Sequence, residues 1–220
     1  MLAGQAEPFE PMERATKAFG DAALSGTEHL HAEWTASREY SLSPVLLAVT
    51  RAYRPHADGA YVVAAKGSPE AIVDLCHLSA QHGEAVLEHV RGIAAEGLRV
   101  IAVAASQADS PELPEHQHDF DFRYLGLIGF EDPLRPAVPS AVAQCRRAGV
   151  RLIMLTGDYP ETATAIARQA GIEAPEHVLT GSQLSRMSAE ELARAVARTH
   201  VFARVMPDQK LRLVEALLAN

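Results

Sequence analysis

Between residues 125 and 171 the chain twice sets a short apolar run before a charged turn and a stretch of helical period. The runs are 125–130 and 150–155. The turns are Glu131-Asp132-Pro133-Leu134-Arg135 and Thr156-Gly157-Asp158. Strand, turn and helix repeated in series predict an α/β unit with a parallel sheet. The second run is apolar except for Arg151, as strands buried on both faces usually are. In such sheets ligands bind at the carboxyl ends of the strands, where loop amides and helix N-termini converge.

The same grammar continues to the last residues. A helix from Pro136 carries Val138, Ala141, Val142 and Cys145 on one face and stops at Gly149. Asp158 and Glu161 have capping-box spacing, Ala163, Ile166, Ala167 and Ala170 form the stripe behind them, and Gly171 is the stop. Ser188 and Glu191 form another capping box before Leu192 and Val196. Residues 201–205 make one more strand, and Pro207 opens a helix carrying Leu211, Val214, Leu217 and Leu218.

Upstream the pattern differs. Residues 12–23 have the spacing of one helix, with Glu13 near its positive end. Runs at 45–54 and 61–65, joined by a turn cluster ending in Asp58-Gly59, predict an antiparallel hairpin. Ser68, Pro69 and Glu70 then supply a cap, a first helical residue and a first-turn acid for a helix to about Leu78. A helix over 82–96 stops at Gly97, a strand covers 98–104, and 106–121 reads as a surface loop or linker. The first half is therefore an antiparallel α+β module, and the boundary falls near residue 121.

At 220 residues and 48% hydrophobic the chain can bury a sizeable core. A net charge of -8 argues against a nucleic-acid or anionic-membrane partner. Two cysteines far apart, Cys76 and Cys145, suit a reducing compartment. No apolar run approaches a membrane span, and residues 1–5 lack signal-peptide character. The expectation is a soluble, cytoplasmic chain.

The candidate chemistry gathers at the turns. Thr156, Gly157 and Asp158 offer a hydroxyl, a flexible amide and a carboxylate, which suits a phosphoryl group; the same residues also read as a helix cap. Asp132 and Arg135 read as a phosphate or ribose contact, or as a turn with a local ion pair. Arg204 and Lys210 flank a strand-to-helix turn where a lysine can meet a phosphate or simply be solvated. Lys66 and Gly67, between a strand and a helix, can line a cleft. The histidine pairs at 29/31 and 116/118 lack the partners of a zinc site, so no metal site is expected.

Taken in order, Lys66-Gly67-Ser68-Pro69-Glu70-Ala71, Gly97-Leu98-Arg99-Val100, Asp132-Pro133-Leu134-Arg135, Leu155-Thr156-Gly157-Asp158 and Phe202-Ala203-Arg204-Val205 with Pro207 and Lys210 resemble the cytoplasmic part of P-type ATPases. The likeness is to the calcium-pump-like bacterial branch, within the haloacid dehalogenase-like superfamily. It implies an α+β nucleotide-binding domain over 1–121 and part of a Rossmann-like α/β phosphorylation domain over 122–220. It implies ATP as ligand, with Lys66, Gly67, Arg99, Glu13 and Tyr40 serving the nucleotide and Tyr40 standing for the family's stacking aromatic. Asp132, Arg135 and Arg204 would serve ribose and phosphates, and Thr156, Gly157, Asp158 and Lys210 the transferred phosphoryl group.

The departures limit that implication. The Asp-Lys-Thr-Gly-Thr motif that accepts the phosphoryl group and the Gly-Asp-Gly-x-Asn-Asp motif that helps hold magnesium are absent, and Val45 stands where many relatives have a second cleft lysine. The expected object is a piece of a pump on the cytoplasmic side of the membrane. Its partners are ATP and the transmembrane and actuator parts of the parent. It binds nucleotide, turns none over alone, and its truncated sheet exposes strand edge and apolar surface. Two other readings are a soluble phosphatase using Asp119-Phe120-Asp121, which precedes a strand instead of ending one, and a non-catalytic α/β interaction domain.

Overall fold

The computed structural model describes residues 1–5, 7–31, 33–55, 59–110 and 112–218. The chain divides into two compact units, Met1–Val90 with Val100–Ile128, and Arg91–Arg99 with Gly129 onward.

The first unit is built on a five-stranded sheet of β1 (Ala36–Tyr40), β2 (Ala48–Tyr53), β3 (Tyr61–Gly67), β4 (Arg99–Ala108) and β5 (Arg123–Phe130), in that order. β1 pairs with β2, β2 with β3 and β3 with β4, all antiparallel. The expected hairpin is β2–β3; the centre of its turn, 56–58, lies outside the described residues. Val49 sits opposite Lys66, Arg51 opposite both Glu39 and Ala64, and Thr50 opposite both Tyr40 and Ala65. Since neighbours in a strand point to opposite faces, Lys66, Arg51 and Glu39 share one face, and Tyr40, Thr50 and Ala65 share the other.

That second face is the core. Tyr40, Ala52, Val63 and Ala65 pack there with Ile72 and Leu75 of α2 (Pro69–Leu75) and with Phe120 and Phe122. The Ser68 hydroxyl accepts the Ala71 N–H, and Pro69 occupies the first turn, as the sequence predicts. α1 (Pro11–Ala23) and α3 (Ala80–Ala95) also match their patterns.

The segment read as a surface loop is anchored instead. β4 runs on to Ala108, and a 3-10 turn at Gln117–Asp119 places the Gln117 side chain inside. Its Oε1 accepts the Thr50 hydroxyl at 2.7 Å, and its amide nitrogen donates to the Ala48 carbonyl at 3.4 Å. A buried amide needs such partners, and only a strand distant in sequence supplies them.

The second unit holds a parallel sheet of β6 (Met154–Leu155), β7 (Val178–Thr180) and β8 (Val201–Ala203), ordered β6-β8-β7. Phe202, at the centre of the middle strand, is fully buried among Leu184, Val196, Val205 and Leu213. Around the sheet are α4 (Val138–Arg147), α5 (Pro160–Ala170), α6 (Gly181–Leu184), α7 (Ala189–Val196) and α8 (Pro207–Leu218).

Several expectations need correction here. The run 125–130 belongs to the five-stranded sheet and not to the parallel one. The run 150–155 pairs only at Met154 and Leu155, with Val150 exposed, because β6 has a neighbour on one side alone. Asp158 does not cap α5; the N-cap position is Tyr159, without a side-chain bond. The Ser188–Glu191 capping box does form. No residue of α4 is buried, and Leu211 and Leu218 of α8 are exposed while Leu213 carries that helix's burial. β1, β7 and α6 had no sequence forecast: β1 is exposed at four of its five residues, so it lacks the alternation that betrays a strand.

Two measurements follow from this packing. Phe202→Ala removes a ring from the centre of the parallel sheet and should cost about 3–5 kcal/mol in urea unfolding; a loss under about 1 kcal/mol contradicts the assigned core. Burial pushes the Cys76 thiol up to about 11, so at pH 8 only about a thousandth of it is thiolate. Native-state alkylation followed by mass spectrometry should therefore find Cys76 slow to react, and alkylation at the rate of a free thiol contradicts its placement.

Candidate functional site

A cavity of about 390 Å³ lies in the first unit, against the sheet face that carries Lys66 and Arg51. α1 supplies Glu13, and the polar segment before β1 supplies His31 and Trp34. Glu13 lies in the first turn of α1, which Pro11 opens, and its ion pair with Lys66 holds it on the cavity side.

Charge in this cavity is paired. The Lys66 ammonium donates to a Glu13 carboxylate oxygen, and both side chains are largely buried. The other oxygen of Glu13 accepts the Gln5 backbone N–H at 3.2 Å. Burial alone would raise the Glu13 carboxyl, but the hydrogen bond and charge of Lys66, the Gln5 amide and the Arg51 charge together hold it below its ordinary value. Arg51 is itself buried; its Nε and one Nη donate to the same oxygen of Glu39 at 2.9 and 2.6 Å, and the other Nη donates to the Gly4 carbonyl. A buried guanidinium needs this full set of acceptors to offset lost hydration. Arg51 had no place among the sequence candidates. Its signal was a charged residue in an otherwise apolar strand.

Two residues assigned to the same cleft stand elsewhere. Tyr40 does not line the cavity: it is 7% exposed, on the opposite face of the sheet, and its hydroxyl donates to the Pro114 carbonyl at 2.5 Å. Gly67 sits opposite Ala48, where any Cβ would strike the Leu47 carbonyl and Ala48 itself. Glycine there is demanded by the close approach of two strands.

The second unit holds the other candidates. The Thr156 hydroxyl donates to Asp158 at 2.9 Å, and the Asp158 N–H donates back to that hydroxyl oxygen at 3.1 Å. The Arg204 N–H donates to the Asp158 carbonyl, and the Val205 N–H to the Thr156 carbonyl, tying the turn to the end of β8. Gly157 faces open space. The Arg99 guanidinium lies 3.5 Å from the remaining Asp158 oxygen. Arg204, at a positive φ of 54°, places its guanidinium over the Tyr159 ring at 4.6 Å. Asp132 and Arg135 are exposed in the segment between β5 and α4, and Lys210 is exposed on the first turn of α8. The structure therefore joins Thr156, Gly157, Asp158, Arg99 and Arg204 at one turn.

Such a turn holds the Asp158 carboxylate in a fixed place with the Arg99 charge beside it, so its groups need no reorganising when a ligand arrives. Asp119 and Asp121 flank the buried Phe120 ahead of β5, not at the end of a parallel strand, so the phosphatase reading gains no geometry. Among the described residues no group of three or more His, Cys, Asp or Glu is arranged to hold a metal ion, and no helix is long and apolar enough to cross a membrane.

Comparison with known proteins gives these features a context. The profile of the haloacid dehalogenase-like hydrolases matches residues 10–220. A sodium/potassium exporting P-type ATPase of Schizosaccharomyces pombe is 36% identical over 94% of this chain and 22% of its own length. A calcium-transporting ATPase of Bacillus subtilis is 42% identical over 62% of this chain and 15% of its own. A probable cation-transporting ATPase F of Mycobacterium tuberculosis is 39% identical over 75% of this chain and 20% of its own. The chain thus spans about a fifth of the length of the curated relatives it matches. It belongs to the haloacid dehalogenase-like hydrolase family, and the relatives it keeps there are P-type cation-transporting ATPases.

Proposed function

We propose that this chain is the ATP-binding cytoplasmic portion of an ion-translocating P-type ATPase, with a nucleotide-binding domain over 1–121 and part of a phosphorylation domain over 122–220. The observation that carries the reading is the Lys66–Glu13 pair. These two residues lie 53 apart in sequence, were both assigned to one cleft by resemblance, and meet on one cavity.

The cavity fits a nucleotide in size and in donor set. Its volume of about 390 Å³ is in the range of small-ligand sites, beginning at roughly 300 Å³. Lys66 supplies a compact charge for a phosphate, and Glu13 an acceptor for a base amino group. Tyr40 and Gly67 act from the far face by holding the strand register that presents Lys66. In the second unit Asp158, Thr156 and Gly157 form the turn that meets the transferred phosphoryl group, with Arg99, Arg204, Asp132 and Arg135 on phosphates and ribose and Lys210 as neutralising charge.

In the parent pump, phosphoryl transfer passes through an aspartyl phosphate whose nucleophile and magnesium ligands belong to motifs not found in these residues. ATP supplies the phosphoryl group. This chain binds, orients and screens it on the cytoplasmic side of the membrane, working with the transmembrane and actuator parts.

Two outcomes test the reading. Calorimetry should detect ATP binding, and Lys66→Ala should weaken it by about 10- to 100-fold, the worth of one charged hydrogen bond; unchanged affinity overturns the role of Lys66. Phosphate release by the chain alone should equal the buffer rate, and Asp158→Asn should leave it there. ATPase activity that Asp158→Asn abolishes would show that the chain carries its own catalytic centre.

A further inference from the structure

The resemblance puts the base of the nucleotide on Tyr40, and the strand register takes Tyr40 away from the cavity. Tyr40 lies opposite Thr50 and Lys66 opposite Val49, so their side chains leave the sheet on opposite sides. The Tyr40 ring is also engaged, with Phe120 meeting it at 90° and the Arg38 guanidinium 4.7 Å from its centroid. No flat face of Tyr40 is presented to Lys66 and Glu13.

A different aromatic lines the same cavity. Trp34, the single tryptophan of the chain, shares that wall with Lys66 and Glu13 and is partly exposed. It already carries a planar nitrogen heterocycle: the His31 imidazole is stacked on it with centroids 3.8 Å apart and planes 9° from parallel. A short turn, in which the Trp34 N–H donates to the His31 carbonyl, holds the two together. Tyr53 stands 6.2 Å from Trp34 on the sheet side, its hydroxyl tied to the Leu2 carbonyl, so the indole has a fixed backing.

We propose that Trp34 is the base-stacking platform of the cleft, and that His31 holds the place a purine takes, leaving when the nucleotide binds. This rests on the reading that the cavity is an ATP site. An indole offers a larger π-face than imidazole or phenol, and a purine covers it more fully than His31 does, so the exchange is favourable. Stacking on an aromatic does not depend on which base is offered. The platform therefore sets the plane of the base and leaves its identity to the polar groups around it.

The single tryptophan makes the test direct. Wild-type chain is titrated with ATP, adenosine and inorganic tripolyphosphate while Trp34 fluorescence and calorimetric heat are recorded. ATP and adenosine should change the emission, and tripolyphosphate should not. Trp34→Leu should weaken ATP by about 5- to 100-fold, the range for one stacked base, and leave tripolyphosphate affinity as it was. Trp34→Phe, which keeps a ring, should recover most of the loss. Far-UV circular dichroism checks that each variant folds; if Trp34→Leu does not, wild-type emission and Trp34→Phe decide. Calorimetric ATP binding with unchanged Trp34 emission and full affinity in Trp34→Leu overturns Trp34 as the platform and leaves the ATP site standing. Absence of ATP binding to the wild-type chain overturns both.

Discussion

The register between β2 and β3 is the constraint on which the first unit depends. It puts Val49 across from Lys66 and Thr50 across from Ala65, and thereby decides which side chains meet solvent and which meet α2. A slip of β3 by one residue would turn Lys66 into the core and bring Val63 and Ala65 out. Two features lock that register. Gly67 lets the strands approach where a Cβ would collide, and Gln117 bonds to Thr50 and Ala48 from a segment nearly seventy residues away. The amide bridge is buried, so a shifted strand would leave donors and acceptors unpaired at about 1–3 kcal/mol each.

The second unit obeys a different logic. Its small sheet is held by Phe202 at the centre, while the turn after β6 is set by bonds to the end of β8. Thr156 and Asp158 each donate to the other, and each also lends a carbonyl to the Val205 or Arg204 N–H. The turn keeps its shape through backbone bonds and through the paired side chains of Thr156 and Asp158 together.

Elements with local causes could be read from sequence, and those with distant causes could not. Ser68-Pro69-Glu70 announced α2 because cap, first turn and dipole all act within four residues. Asp158 and Glu161 had equally good spacing and no capping box formed, because Arg99 and Thr156 draw the Asp158 carboxylate away. Glu13 and Lys66 were legible as a site only through family likeness; nothing in their local surroundings links them. Tyr40 left the expected cleft and Arg51 entered it unforeseen for one reason, the side of the sheet each leaves from, which depends on a pairing partner that a single strand does not reveal.

The paired state of Lys66 has a consequence for how the cavity discriminates. Its ammonium already has a carboxylate counter-ion, and Arg51 has another in Glu39. An anion entering this cavity finds its lysine and arginine side chains already paired with carboxylates. It must displace Glu13 and hold Lys66 better than a nearby, tethered carboxylate does. The cavity behaves as an ion exchanger with a built-in competitor: weakly charged or monodentate anions fail the exchange, and a ligand succeeds by bringing a second attachment of its own.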